Sequence, residues 1–281
     1  VDLHKSRHLD GKVIVITGAA AGFGALIATR VAARGAIPVA LDVDAAGAGK
    51  VAAAIEADGG RALGIGLDVR DRSAFAAAAA QVISTFGRLD VLVNNAGVMP
   101  LAFLADHARA AEAWDRAIDI NLKGVLHGVY AVYDHMSEHG GHIVNISSIY
   151  GNSGVAGAAV YGATKAAVAT LSNALRVESQ GKIKVTLVRP SGVLGTNLGG
   201  TIIDGAAAAP LAAHRIASWQ EHITELREGR LPTAARDPEQ TPYWTLAPND
   251  VVDAVVHVID QPLGVAITDL TVRATGEDYV Y

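Results

Sequence analysis

The sequence predicts an α/β fold: a doubly wound, mostly parallel sheet of seven strands with helices on both faces. Short β-branched runs alternate with longer alanine-rich segments along most of the 281 residues. Runs such as VIVIT (13–17) and VLVNN (91–95) are almost continuously apolar, as expected for strands covered on both faces. The spacing between successive runs leaves room for a helix, which implies right-handed crossovers and parallel neighbours.

The elements follow in order. Val13–Thr17 reads as the first strand and Gly24–Arg34 as the first helix. Strand Val39–Asp42 leads to helix Ala45–Ala57, and strand Gly64–Val69 to helix Ser73–Phe86. Strand Val91–Asn94 precedes one long helical stretch, Ala110–Glu138. Strand His142–Ser147 precedes helix Tyr161–Glu178, and strand Val185–Arg189 is followed by a lapse in the alternation over residues 197–247. That lapse holds GGTIIDGAAAAP, a helix-like LAAHRIASWQEHITELREG and a Pro-containing loop, and reads as a substrate cover inserted before the last helix, Asn249–Asp260. Ala266–Val272 completes the sheet. No Pro-, Gly- or Ser-rich linker and no solenoid-length repeat divides the chain, so one domain over residues 1–281 is expected.

Bulk composition narrows the function. Hydrophobic residues make up 51% and charged residues 18%, enough for a large core. A net charge of −5 without a basic run argues against nucleic acid and anionic membranes as partners. No apolar stretch approaches the roughly 20 residues that span a bilayer. The polar opening VDLHKSRHLDGK lacks a signal-peptide core, so a cytoplasmic location is expected. With no cysteine there is no disulfide, thiolate nucleophile or Cys-based zinc site. His135, His139 and His142 include an i, i+4 pair, but a zinc site needs further ligands, and no metal is expected.

VITGAAAGFGALI places Gly18, Gly22, Phe23 and Gly24 between the first strand and the first helix. Glycines there let the backbone approach a pyrophosphate whose charge sits on the helix N-terminus, the device of Rossmann-type sheets. Alone, the turn fits a ligand-free βα connection equally well. An acid at the end of the next strand, Asp42, supports a dinucleotide: it can accept from ribose hydroxyls and repels a 2′-phosphate. NAD is therefore expected rather than NADP. Asp68, followed by Val69, is placed to reach the adenine amino group, or to cap the next helix.

TGAAAGFG, NNAG (94–97), the serine Ser148 at a strand end, YGATK (161–165) and RPSG (189–192) occur in this order. Together they resemble a short-chain dehydrogenase/reductase of the one-domain TGxxxGxG subtype, over about residues 10–273. The resemblance implies catalysis by Asn121, Ser148, Tyr161 and Lys165. It also implies that Asn95, Ala96 and Gly97, then Pro190, Val193 and Thr196, border the cofactor, and that Tyr161 and Lys165 touch it. Oxidising an alcohol requires a hydride to leave carbon and a proton to leave oxygen. A free tyrosine, with a pKa of about 10, is too weak a base at neutral pH; the Lys165 ammonium and a positively charged nicotinamide ring nearby are expected to favour its phenolate. Ser148 is then expected to hydrogen-bond the substrate oxygen, Lys165 to hold ribose hydroxyls, and Asn121 to position a water behind Lys165.

Pro190-Ser191-Gly192 departs from the Pro-Gly commonly found in the family, which leaves the register up to Thr196 open. The apolar loop VMPLAF (98–103) contributes Met99, which with Tyr150, Val155, Trp219 and Trp244 lines either a substrate pocket or a subunit contact. The closing ITDLTVRATGEDYVY is expected to pack across an oligomer axis, in a tetramer implied by resemblance alone. The leading expectation is an NAD-dependent dehydrogenase of secondary alcohols. The alternatives are an NADPH-dependent carbonyl or 3-ketoacyl reductase and, from another class, a non-catalytic NAD-sensing scaffold. Epimerase or dehydratase chemistry fits less well, because position 21 is Ala where TGxxGxxG relatives have glycine.

Overall fold

The computed structural model describes residues 8–281; most of the polar opening, residues 1–7, lies outside the described residues. Seven strands form one sheet: β1 (Val13–Thr17), β2 (Ile37–Asp42), β3 (Leu63–Gly66), β4 (Val91–Asn94), β5 (Gly141–Ile146), β6 (Ile183–Pro190) and β7 (Asp269–Val272). Their order is β3-β2-β1-β4-β5-β6-β7, and every neighbouring pair is parallel. The chain moves outward from β1 in one direction and from β4 in the other. That reversal opens a crevice at the carboxyl ends of the central strands.

The helices are α1 (Gly22–Ala32), α2 (Ala45–Ala57), α3 (Arg72–Phe86), α4 (His107–Ile118), α5 (Gly124–His139), α6 (Ala159–Glu178), α7 (Ile216–Arg227), the single turn α8 (Thr233–Arg236) and α9 (Pro248–Ile259). β1 shows why the apolar runs are continuous. Val13 and Val15 pack on one face with Phe75, Val82 and Val129, while Ile14 and Ile16 pack on the other with Ile27, Val31 and Val255. Alternate side chains leave opposite faces of a strand, so a run without polar residues serves two cores at once. Each such buried side chain contributes about 1.5–3 kcal/mol.

Three expectations about elements change. The third strand ends at Gly66, so Asp68 and Val69 lie in the connection beyond it. The cap of α3 is Asp71, which accepts from the Ser73 and Ala74 amides at 2.9 Å, and not Asp68. The single helix expected over Ala110–Glu138 is two, α4 and α5, joined by a π turn at Asp119–Lys123. This wider turn directs Asn121 inward, where it is 1% exposed.

The insertion at 197–247 opens with two 3-10 segments, Asn197–Thr201 and Gly205–Arg215, and continues through α7 and α8. It is tied to the loop after β4: the Met99 amide donates to Thr201 Oγ1 at 2.7 Å, and the Ile203 and Asp204 amides donate to the Leu101 carbonyl. The closing segment also packs on its own chain: the Val280 amide donates to the Leu211 carbonyl at 3.2 Å. No helix among the described residues is long and apolar enough to cross a membrane.

Candidate active site

A cleft of about 590 Å³ lies over the carboxyl ends of β1, β2, β4, β5 and β6. At one end, beside the glycine turn, are Gly18, Gly22 and Phe23. Helix α1 starts there with no side-chain cap and no acid in its first turn, which leaves amides to receive an anion. Gly24 is needed for close approach: a Cβ there would lie 2.2 Å from the Gly18 carbonyl oxygen. Asn95 holds the turn from the other side. Its Nδ2 donates to the Thr17 and Gly18 carbonyls at 2.8 and 3.2 Å, and Thr17 Oγ1 accepts from the Asn95 and Ala96 amides at 3.0 Å. The NNAG run therefore fastens β4 to the glycine turn.

Asp42 ends β2 at the cleft edge. One carboxylate oxygen accepts from the Ala20 amide and the other from the Asp44 amide, both at 2.9 Å, so the group is fixed in orientation. Asp68 also borders the cleft, but Arg70 grips its carboxylate at 2.6–3.0 Å and holds its pKa below the usual value. Its reach toward an adenine competes with that ion pair. Val69, Asn95, Ala96, Gly97, Pro190, Val193 and Thr196, expected to border a cofactor, line the same cleft. Val193 bridges Leu246, and the Leu246 amide donates to the Gly192 carbonyl at 3.3 Å, so the Pro190–Thr196 loop is held to the cover.

Tyr161 and Lys165 point into the cleft from one face of α6, with the Lys165 Nζ 5.8 Å from the Tyr161 ring centre. Lys165 is 6% exposed and donates to the Ile146 carbonyl at 2.9 Å; burial pushes its pKa down to about 8. Tyr161 is 3% exposed, and burial pushes its phenol up to about 12, against the opposing hydrogen bond with Ser148. In the ligand-free chain desolvation of the phenolate thus sets the direction, without the nicotinamide charge that the expected lowering also invoked. Asn121 is fixed by its own partners. Its amide is taken up by Val98, accepting from N–H at 2.9 Å and donating to C=O at 2.8 Å, with Thr164 Oγ1 at 3.2 Å. The side chain fixes the loop after β4 with both amide protons engaged, and its Oδ1 lies beside the same Gly97 as the Lys165 Nζ.

The other end of the cleft is apolar and aromatic. Met99 and Leu101 of the apolar loop 98–103 line it with Tyr150 and Trp219, joined by Leu211 and Tyr279, which sequence reasoning missed. Val155 and Trp244 do not line it. Val155 packs behind Tyr150 and Tyr161, and Trp244 turns into a small core with Leu231 and Ala235, its indole N–H donating to Asp278 at 2.8 Å. The histidine pair His135–His139 stacks at 4.6 Å, whereas His142 is buried apart on Thr186 at 2.8 Å. Among the described residues no group of three His, Cys, Asp or Glu gathers as a metal site.

The short chain dehydrogenase family model matches residues 12–206. The chain belongs to that family. Cyclopentanol dehydrogenase from a Comamonas species is 36% identical over 203 residues, 72% of this chain and 80% of that protein. The D-threitol dehydrogenase of Mycolicibacterium smegmatis is 40% identical over 199 residues, 70% and 75% of the two chains. Among solved structures, a 3-ketoacyl-(acyl-carrier-protein) reductase from Brucella melitensis complexed with NADH superposes with a TM-score of 0.74 at 29% identity, covering 95% of this chain and 99% of that one. Family membership makes this chain an oxidoreductase, and its structural neighbours carry nicotinamide dinucleotides.

Proposed function

We propose that this chain is an NAD-dependent dehydrogenase that interconverts an apolar secondary alcohol and its ketone, with Tyr161 moving the proton. The observation that carries the reading is the fixed Asp42 carboxylate at the ribose end of a cleft whose other end presents Tyr161, Ser148 and Lys165. Asp42 repels a 2′-phosphate, and the Arg70 guanidinium that also borders the cleft is engaged by Asp68. The residues present fit the cofactor: uncapped amides at α1 receive the pyrophosphate, and Gly24 lets α1 pack closely against the turn at Gly18 that presents them.

A bound nicotinamide supplies the hydride acceptor for oxidation and the donor for reduction. The chain's residues do the rest. Ser148 hydrogen-bonds the substrate oxygen where charge develops. Tyr161 takes the hydroxyl proton as the carbinol carbon gives up its hydride, and returns a proton to oxygen in the reverse direction. With its pKa near 12 the phenol is protonated at neutral pH, which suits it as the acid for ketone reduction. As a base for oxidation it needs a second positive charge beside it, in addition to the Lys165 ammonium. Lys165 also offers its remaining protons to the ribose hydroxyls. The apolar walls exclude water and select against charged substrates.

One domain, a cytoplasmic location and assembly as a homotetramer belong to the same proposal, the last read out by light scattering. The deciding experiment follows nicotinamide absorbance with NAD, then NADP, across aliphatic, cyclic and aromatic secondary alcohols, with Tyr161→Phe as control. NAD-dependent turnover lost in the variant supports the reading. Turnover with NADP alone favours the carbonyl-reductase alternative and overturns the role of Asp42. Tight NAD binding without turnover of any alcohol supports the sensing scaffold instead.

A further inference from the structure

The departure at Ser191 and the folded-back tail explain one another. Ser191 Oγ donates to Glu277, and Gly192 faces the Tyr279 ring so closely that a Cβ would lie 2.2 Å from its Cε2. The two residues after Pro190 are therefore shaped to receive residues 277 and 279. Glu277 and Asp278 are 6% and 3% exposed, and burying two adjacent carboxylates is costly unless each is paired. Both are. Arg273 and Ser191 hold the Glu277 carboxylate, while the Trp244 indole N–H and His222 Nδ1 meet Asp278 Oδ2 at 2.8 Å. Beyond them Arg273 reaches the Tyr279 carbonyl at 2.5 Å and the Tyr281 carbonyl at 3.2 Å. The backbone is clamped on either side of residue 279, and its ring stands in the cleft against the cluster that contains Tyr150, Tyr161 and Leu211.

We infer that Tyr279 is a specificity-determining residue: a wall of the substrate lobe, clamped from the tail, that limits the bulk of the alcohol or ketone admitted beside Tyr161. The inference rests on the reading that this lobe takes the substrate. Trp244, which does not line the cleft, acts here as a positioning residue through Asp278.

The test measures binding of cyclohexanone and of the bulkier 2-acetonaphthone by titration calorimetry to the wild type, Tyr279→Ala, Tyr279→Phe and Asp278→Asn. Removing the ring is expected to shift the affinity ratio toward 2-acetonaphthone by about ten-fold or more. Tyr279→Phe keeps the ring and is expected to keep the wild-type ratio. Asp278→Asn loosens the clamp and is expected to shift it part of the way. An unchanged ratio in Tyr279→Ala, equal loss of both ketones, or no binding of either ketone by any variant overturns the assignment. Turnover of the matching alcohols with NAD is recorded in parallel. Turnover with an unchanged size ratio removes the role of Tyr279 alone; a shifted binding ratio without turnover keeps the wall and removes the dehydrogenase reading.

Discussion

Replacing Lys165 by Met is expected to stabilise the ligand-free protein while abolishing turnover. Lys165 is buried, its only hydrogen-bond acceptor among the described residues is the Ile146 carbonyl, and burial brings its pKa from 10.5 to about 8. At about 1.4 kcal/mol per pH unit, holding that ammonium charged costs the folded state about 3 kcal/mol. Met removes the charge at similar length, but leaves the Ile146 carbonyl without its donor, which returns about 1 kcal/mol. The net gain near pH 7 is about 2 kcal/mol, or about 3 °C in Tm for a chain of this length. The sign follows from proton counting. Between about pH 8 and 10.5 the unfolded chain holds the lysine proton and the folded chain does not, so wild-type stability rises with pH across that window. Tyr161, raised to about 12, acts oppositely only above its unfolded value of 10. Urea unfolding of wild type and variant at pH 7, 8, 9 and 10 separates the terms. The gap is expected to be widest at pH 7 and to close with rising pH. A variant no more stable than wild type at pH 7, or a gap independent of pH, would refute the account of Lys165 as a cation held at a cost to folding.

Further outcomes are expected elsewhere. Gly24→Ala sets a Cβ 2.2 Å from the Gly18 oxygen and 2.8 Å from Ala19 Cα, so the turn must shift. A loss of about 1–3 kcal/mol in stability and a clear loss of NAD affinity by calorimetry are expected together. Asp71→Ala removes the cap of α3 and is expected to lower stability by about 1 kcal/mol with kcat unchanged, as read by denaturant melts and steady-state rates. Burial alone would raise Asp90, but Arg88, the Val13 amide and Lys12 outweigh it and hold the carboxylate below 3.8. Its contribution is present above that value and is lost as pH falls through the lower folded pKa. Thermal melts between about pH 5 and 2.5 should show a shallower acid limb for Asp90→Asn than for the wild type.

Much of this architecture is legible along the chain because it is local. A strand buried on both faces declares itself in VIVIT, and the glycine turn and the YxxxK helix lie within single elements. What escaped depends on distant partners. The break at Asp119–Lys123 has no proline to announce it, only Gly124 directly after it; it forms where Asn121 can satisfy the Val98 backbone. Trp244 has the look of a pocket aromatic, yet its N–H finds a buried acceptor at Asp278, 34 residues on. Asn95 borders the cleft, and its side chain in addition braces the turn 77 residues before it, a role that only the fold reveals. Tyr279 carries no signal of its own in the sequence, because its place depends on Glu277 and Asp278 being buried and paired. The phenol pKa could not be read from residue spacing either: Tyr161 and Lys165 set the geometry, but the depth of burial sets the sign.

The contact between Gly192 and Tyr279 also constrains the order in which this sequence can change. With the ring in place, a methyl group at 192 has nowhere to go; once 279 is small, the same methyl fills space that the ring has vacated. The harm done by Gly192→Ala is thus conditional on a residue 87 positions away, and a chain drifting toward bulkier substrates must surrender the tyrosine before it can give up the glycine. Reversion has to retrace those steps backwards. Each step taken at 192 makes the ancestral tail harder to restore, so a change of substrate range made this way acts as a ratchet.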